Sequence, residues 1–144
     1  MFLHTMLQFE LEGTFTANVS DIYAAWHEPK RLINWFGLND LVVGQIMSDF
    51  RVGGKFRFQL YDITGMAHVL MGEYRDIQRD NRLHFSWQWV GEPHLSEVEV
   101  LFDDVNDQTT NLQLIHSGFD DEEDMELHHQ AWVGCLDRLT LAAM

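Results

Sequence analysis

Leu83-His84-Phe85-Ser86-Trp87-Gln88-Trp89 sets a large apolar side chain at every second position, with polar ones between. Successive side chains of an extended chain point to opposite faces, so this stretch reads as a β-strand with one apolar and one wetted face. The same alternation recurs on both sides of it. Downstream, Val98, Val100 and Phe102 alternate with Glu97, Glu99 and Leu101, and Leu112, Leu114 and His116 with Asn111, Gln113 and Ile115. Upstream, Phe56, Phe58 and Leu60 alternate with Lys55, Arg57 and Gln59, while Leu7, Phe9 and Leu11 lead to Phe15 beyond Gly13. Turn-forming residues separate the runs: Val52-Gly53-Gly54, Asp62-Ile63-Thr64-Gly65, Asp80-Asn81, Gly91-Glu92-Pro93 and a polar tip over 103–108. Turn spacing, more than pattern, marks two further strands, near 41–49 and 66–77. The pattern predicts an antiparallel sheet of about seven strands joined by hairpins, with one apolar face.

Helical signals interrupt this pattern. Ser20 is a good N-cap residue and Asp21 suits the first turn of a short helix over 21–27. Pro29 opens a second short helix running over 30–36 and stopped by Gly37. The long helix is C-terminal. Ser117 or Asp120 is its expected cap, and the acidic run 120–124 sits where the helix dipole favours negative charge. Met125, His129, Trp132, Leu136, Leu139 and Ala143 then recur at alternating four- and three-residue steps, forming one stripe. The order is strand, two short helices, six strands, long helix. This is an α+β arrangement in which a curved sheet offers one apolar face and one long amphipathic helix can cover it.

The chain has 144 residues and 16.9 kDa, 46% of them hydrophobic and 12% aromatic, which suits a single domain over 1–144. A domain of this length buries roughly 68–70% of its unfolded surface, so it needs no disulfide or metal staple. Five Trp, ten Phe and three Tyr exclude a disordered chain. Nine Lys/Arg against twenty-three Asp/Glu give a formal charge of −14 and a pI near 4.7. Such a surface repels phosphate backbones and anionic headgroups, so neither nucleic acid nor a membrane surface is an expected partner. Eight His soften the charge below about pH 6. Cys135 is the only cysteine, which excludes an internal disulfide and a cysteine-rich zinc site. Residues 1–7 carry no secretory pattern, and no run approaches the roughly eighteen apolar residues of a membrane span, so a cytoplasmic location is expected.

The element order and several local stretches resemble the bacterial proteins similar to the C-terminal domain of the Hsp90 ATPase activator Aha1, within the START-like superfamily. The matching pieces are Asp21-Ile22-Tyr23-Ala24-Ala25-Trp26, Lys30-Arg31-Leu32, Asn34-Trp35-Phe36, Phe50-Arg51-Val52-Gly53-Gly54-Lys55-Phe56 and Gly72-Glu73-Tyr74. Leu83-His84-Phe85-Ser86-Trp87 follows, then Thr110, Leu112, Leu114, His116-Ser117-Gly118-Phe119, His129, Trp132 and Cys135-Leu136-Asp137-Arg138-Leu139. Asn18-Val19-Ser20 departs from the family's proline-led turn. The resemblance implies a helix-grip fold, with the C-terminal helix on the concave face of the sheet. It also implies an apolar cavity between them, a site that binds hydrophobic or aromatic molecules in many START-like domains. The eukaryotic relatives act as co-chaperones.

Phe58, Phe85, Trp87, Trp89, Phe102 and Trp132 are expected between sheet and helix, where they either wall a ligand pocket or fill the core. His116 continues the inward Leu112–Leu114 series and His129 lies on the helix stripe. They either orient a ligand's polar substituent or are satisfied core histidines. Adjacent His128 and His129 project about 100° apart on a helix, and no His-x-x-x-His pair occurs, so no metal or cofactor is expected. Arg51, Lys55 and Arg57 gather three of the nine basic residues in one hairpin, either docking an acidic partner or facing water. The acidic tip Asp103, Asp104, Asn106 and Asp107 lacks the glycine and terminal glutamate of a calcium loop. Cys135 reads as packing. No nucleophile elbow and no phosphate loop occur, so the sequence carries no positive sign of catalysis. The leading expectation is a domain binding a small hydrophobic ligand. The alternatives are an interaction module resembling the co-chaperone, a homodimer formed through exposed apolar strand faces, and an enzyme using His116 or His129.

Overall fold

The computed structural model describes residues 7–38 and 40–142; Ala143 of the helix stripe lies outside them, as does most of the segment 1–7. Period-2 alternation produces seven strands: β1 (Leu7–Phe15), β2 (Val42–Ser48), β3 (Lys55–Tyr61), β4 (Ala67–Gln78), β5 (Arg82–Trp89), β6 (Ser96–Asn106) and β7 (Thr109–Phe119). They form one curved antiparallel sheet in the order β1-β7-β6-β5-β4-β3-β2, so the chain runs by hairpins from β2 to β7 and β1 returns to pair with β7. Helices α1 (Val19–Ala25) and α2 (Pro29–Leu32) connect β1 to β2, and α3 (Glu122–Ala142) follows β7.

Register carries the apolar face across the sheet. Tyr74, Phe85, Val98, His116 and Phe9 lie in one row through β4, β5, β6, β7 and β1. The core lies between this face and the helices. It includes Ile22 and Tyr23 of α1, Leu32 of α2, Trp35 and Phe36 beyond it, and Trp132, Cys135, Leu136 and Leu139 of α3. Arg138 joins the layers: its Nε donates to Trp35 O at 2.9 Å, and its Nη2 donates to Gly37 O. Among the described residues, no helix is long and apolar enough to cross a membrane.

Local chemistry moved several expected boundaries. The cap of α1 is Asn18, whose Oδ1 accepts from Asp21 N at 2.9 Å; Ser20 lies inside the first turn and bonds Asp80. Helix α2 stops at Leu32, because only Glu28 and Pro29 supply carbonyls for one turn before the chain tightens into the Trp35 turn. Asp121 heads α3 through its side chain on Glu123 N, so neither Ser117 nor Asp120 is the cap. Strands β6 and β7 run through most of the acidic tip, leaving a turn of Asp107 and Gln108, with Asn106 Oδ1 accepting from Gln108 N.

Two glycines have stereochemical work. Gly53, at φ 85°, turns the chain between β2 and β3, a conformation costly for other residues. Gly72 lets β4 pass under the Phe56 ring; a Cβ there would stand 2.1 Å from Ser86 O and 2.3 Å from Phe56 Cζ. Since one clashing atom is backbone, a rotamer change cannot relieve it. Gly72→Ala is expected to cost ~2–3 kcal/mol, seen as a lower urea midpoint at unchanged slope. An unchanged midpoint would mean β4 and β5 separate without loss there.

Candidate functional site

Aromatic rings from every layer converge between the sheet and α3. Trp132 of α3 stacks near-parallel on Trp26 (centroids 5.7 Å, 24°) and lies 5.2 Å from Trp87 and 6.1 Å from Phe36. Phe36 meets Phe58 edge-on at 5.3 Å, and Phe56 sits 5.4 Å from Tyr74 and 5.7 Å from Phe85. Between these rings remains a cavity of about 30 Å³, lined also by Leu32, Trp35 and Leu70. That space admits one or two water molecules and no drug-sized ligand. The interior is filled by its own side chains.

The cavity has an unusual polar feature. Of the five indoles, Trp35 donates to Ala25 O (2.9 Å), Trp132 to His116 Nδ1 (3.1 Å) and Trp89 to His128 Nε2 (3.3 Å). The Nε1–H groups of Trp26 and Trp87 are buried and have no acceptor among the described residues, although both residues line the cavity. An unpaired buried donor costs ~1–3 kcal/mol, and both of these belong to residues of the cavity wall.

A polar network lies beside the cavity. His116 is fully buried. Its Nδ1 accepts from Trp132, so Nε2 carries the proton and donates to Ser96 Oγ at 2.8 Å, and Ser96 Oγ–H reaches Trp87 O at 3.4 Å. Burial, reinforced by nearby His128 and His94, holds the His116 pKa well below the usual value. His128 is held in the opposite tautomer: Nε2 accepts from Trp89 and Nδ1–H donates to Asp124 O at 2.9 Å. Both ring nitrogens of each histidine are therefore engaged inside the protein. Cys135 is buried and donates to Gly37 O at 2.8 Å, and burial pushes its thiol pKa up. Among the described residues, no group of three or more His, Cys, Asp or Glu is placed to hold a metal ion.

The eight sequence-derived site residues separate into groups. Phe58, Phe85, Trp87 and Trp132 line the cavity. Phe102 lies outside it, edge-on to Tyr23 at 5.7 Å, while His116 and Trp89 belong to the polar network. His129 does not share the interior with His116: its ring rests edge-on against Phe9 at 5.1 Å, with a third of the side chain exposed. His128 takes that inward place, on a covered face of α3 that holds Ala131 and Cys135 beside Trp132, Leu136 and Leu139. Trp26, Phe36, Phe56 and Tyr74 also line the cavity. Phe56 belonged to a recognised alternating strand, whereas Trp26 and Phe36 lie in connections where no period shows which way a side chain points.

A curved seven-stranded antiparallel sheet with a long C-terminal helix over its apolar face is the helix-grip fold of START-like domains. The chain matches the family model described as activator of Hsp90 ATPase homolog 1-like protein over residues 16–143, and it belongs to that family. Its backbone resembles a crystal structure of a protein from Chromobacterium violaceum at TM-score 0.85 and 18% identity, covering 94% of this chain and 96% of that one. The family protein from Silicibacter pomeroyi gives 0.81 at 19% identity, with 94% and 96% covered. CalU16 from Micromonospora echinospora gives 0.74 at 25% identity, with 96% and 76% covered. No curated protein matches the chain.

Proposed function

We propose that this chain is a cytoplasmic small-molecule-binding domain whose ligand is largely apolar, carries a hydrogen-bond acceptor and enters the interior between the sheet and α3. The observation that carries this reading is the pair of buried indole donors without an acceptor among the described residues, Trp26 Nε1 and Trp87 Nε1, on two residues that line one cavity. His116 and His128 have both nitrogens committed within the protein, so the polar contact falls to the indoles. A ligand of ordinary size needs roughly 300 Å³, so binding requires the aromatic lining to part.

Native and denaturing mass spectra of the purified protein supply the first test, with an excess mass lost on denaturation expected. The second compares acetophenone with ethylbenzene, which has a similar shape and no acceptor. Acetophenone should move the indole N–H resonances of Trp26 and Trp87 and ethylbenzene should not, and Trp87→Phe should weaken acetophenone binding about tenfold. No retained mass together with no indole response would overturn the reading. A second reading, an interaction module acting on a chaperone, is favoured by the filled interior and by the family's description. It predicts a salt-sensitive change in a purified Hsp90's ATPase rate on adding this protein, and an unchanged rate at low salt would remove it.

A further inference from the structure

The outer face of the sheet carries a feature that the interior reading does not use. Strands β2 to β5 there form a cleft of about 660 Å³, within the range of small-molecule sites. Cross-strand register puts Met47, Arg57, Met71 and Gln88 in one row, so Arg57 has a methionine on each neighbouring strand. Lys55, two residues before Arg57, shares its face and stands opposite Glu73. Glu73 is already paired with Arg75 at 2.7 Å, and Arg75 also reaches Glu97 at 3.2 Å.

The charge distribution makes this arrangement informative. With twenty-three acidic residues available, Arg31, Arg51, Arg75 and Arg82 all hold carboxylates. Among the described residues, Lys30, Lys55, Arg57 and Arg79 hold none, and of these four Lys55 and Arg57 are the pair exposed at the cleft beside apolar side chains. The cleft lining carries three cations, Lys55, Arg57 and Arg75, against two carboxylates, Asp49 and Glu73. That excess of one suits a monoanion better than a doubly charged phosphate. The chain's overall charge of −14 is screened beyond about 8 Å at physiological salt and does not cancel a local bidentate contact.

We propose that this outer cleft is a binding site for a small amphiphilic monocarboxylate, whose carboxylate is clamped by Arg57 and Lys55 while its apolar body lies along Met47 and Met71. This site is separate from the interior, and it stands or falls independently of the ligand proposed there.

Decanoate is the probe, with ¹³C-methyl methionine spectra as the readout and Met47→Leu and Met71→Leu assigning the two signals. Decanoate should move the Met47 and Met71 methyls saturably and leave the indole N–H signals in place, since no tryptophan lines the cleft. Arg57→Gln should weaken binding about tenfold, and Lys55→Gln with Arg57→Gln should abolish saturation. Both side chains are exposed, so the variants should melt with the wild type. Decylammonium should not produce the methyl shifts. Equal affinity in the double variant, equal response to decylammonium, or silent Met47 and Met71 methyls would overturn the proposal. Indole shifts with silent methyls would also overturn it while supporting the interior site.

Discussion

Trp132→Ala is expected to remove ~3–5 kcal/mol of stability, more than any other single truncation considered for this protein. Trp132 is 1% exposed and touches rings from three separate parts of the fold: Trp26 after α1, Phe36 after α2 and Trp87 on β5. Truncation would open a void next to the existing cavity, and these neighbours are too interlocked to collapse fully into it. It would also strip His116 Nδ1 of the Trp132 N–H, its one donor among the described residues, leaving a buried acceptor unpaired. Total stability of a domain is ~5–15 kcal/mol, so the variant should be marginal or unfolded at 37 °C. Trp132→Phe separates the two effects, because it restores most of the ring volume without the N–H. Urea melts should place Trp132→Phe between wild type and Trp132→Ala. Equal midpoints for the two variants would mean that the hydrogen bond, not the ring, accounts for the loss. A Trp132→Ala protein as stable as wild type would mean that α3 is not anchored through this residue.

The parts of the fold that could be read from the chain are those in which periodicity equals orientation. Strands β5, β6 and β7 alternate cleanly because one face meets the core and the other meets water. Strand β4 was harder to read, and its residues explain why. Inward Leu70 and Tyr74 are interleaved with apolar Val69 and Met71 on the outer face, where Met71 borders the cleft, and a bulge after Tyr74 breaks the period. The helix stripe is right at Trp132, Leu136 and Leu139 and wrong at His129, because the covered face widens to take in Ala131 and Cys135 and reaches His128 in its place. The aromatic set was likewise visible while its meaning was not. The same residues wall a pocket or fill a core according to gaps of one or two ångströms, which no pattern encodes. The two unpaired indoles were less legible still, because an unpaired donor is defined by an acceptor's absence, which depends on the whole fold.

Between pH 7.5 and pH 5 the protein should lose stability along a limb that belongs largely to His116. An unfolded histidine takes up its proton near pH 6.5, but in the fold burial, then His128 and His94, hold the His116 pKa well below that value. The cause is visible in the geometry: a second proton would sit on Nδ1, directly facing the Trp132 N–H, with no acceptor between them. Below pH 6.5 the unfolded chain therefore binds more protons than the native one. Stability is fully present above that pH and falls as pH drops from it towards the native value, by up to about 1.4 kcal/mol per unit. His27, stacked on Phe50 at 4.1 Å and also lowered by burial, adds to the same window. The carboxylates act elsewhere. Hydrogen bonds from Thr64 and His68 hold Asp62 below the usual range, as one from Arg82 holds Asp76, so their contributions are lost only as pH falls through about 4 and lower. His116→Gln isolates the effect, because an amide can accept from Trp132 and donate to Ser96 without titrating. Urea midpoints at pH 7.5, 6.5 and 5.5 should decline steeply for the wild type and much less for His116→Gln, with His27→Gln removing part of what remains. Parallel declines in the wild type and His116→Gln would mean that native His116 accepts its proton as readily as the unfolded chain does. The Trp132–His116–Ser96 relay would then have to reorganise at a cost too small to register in stability.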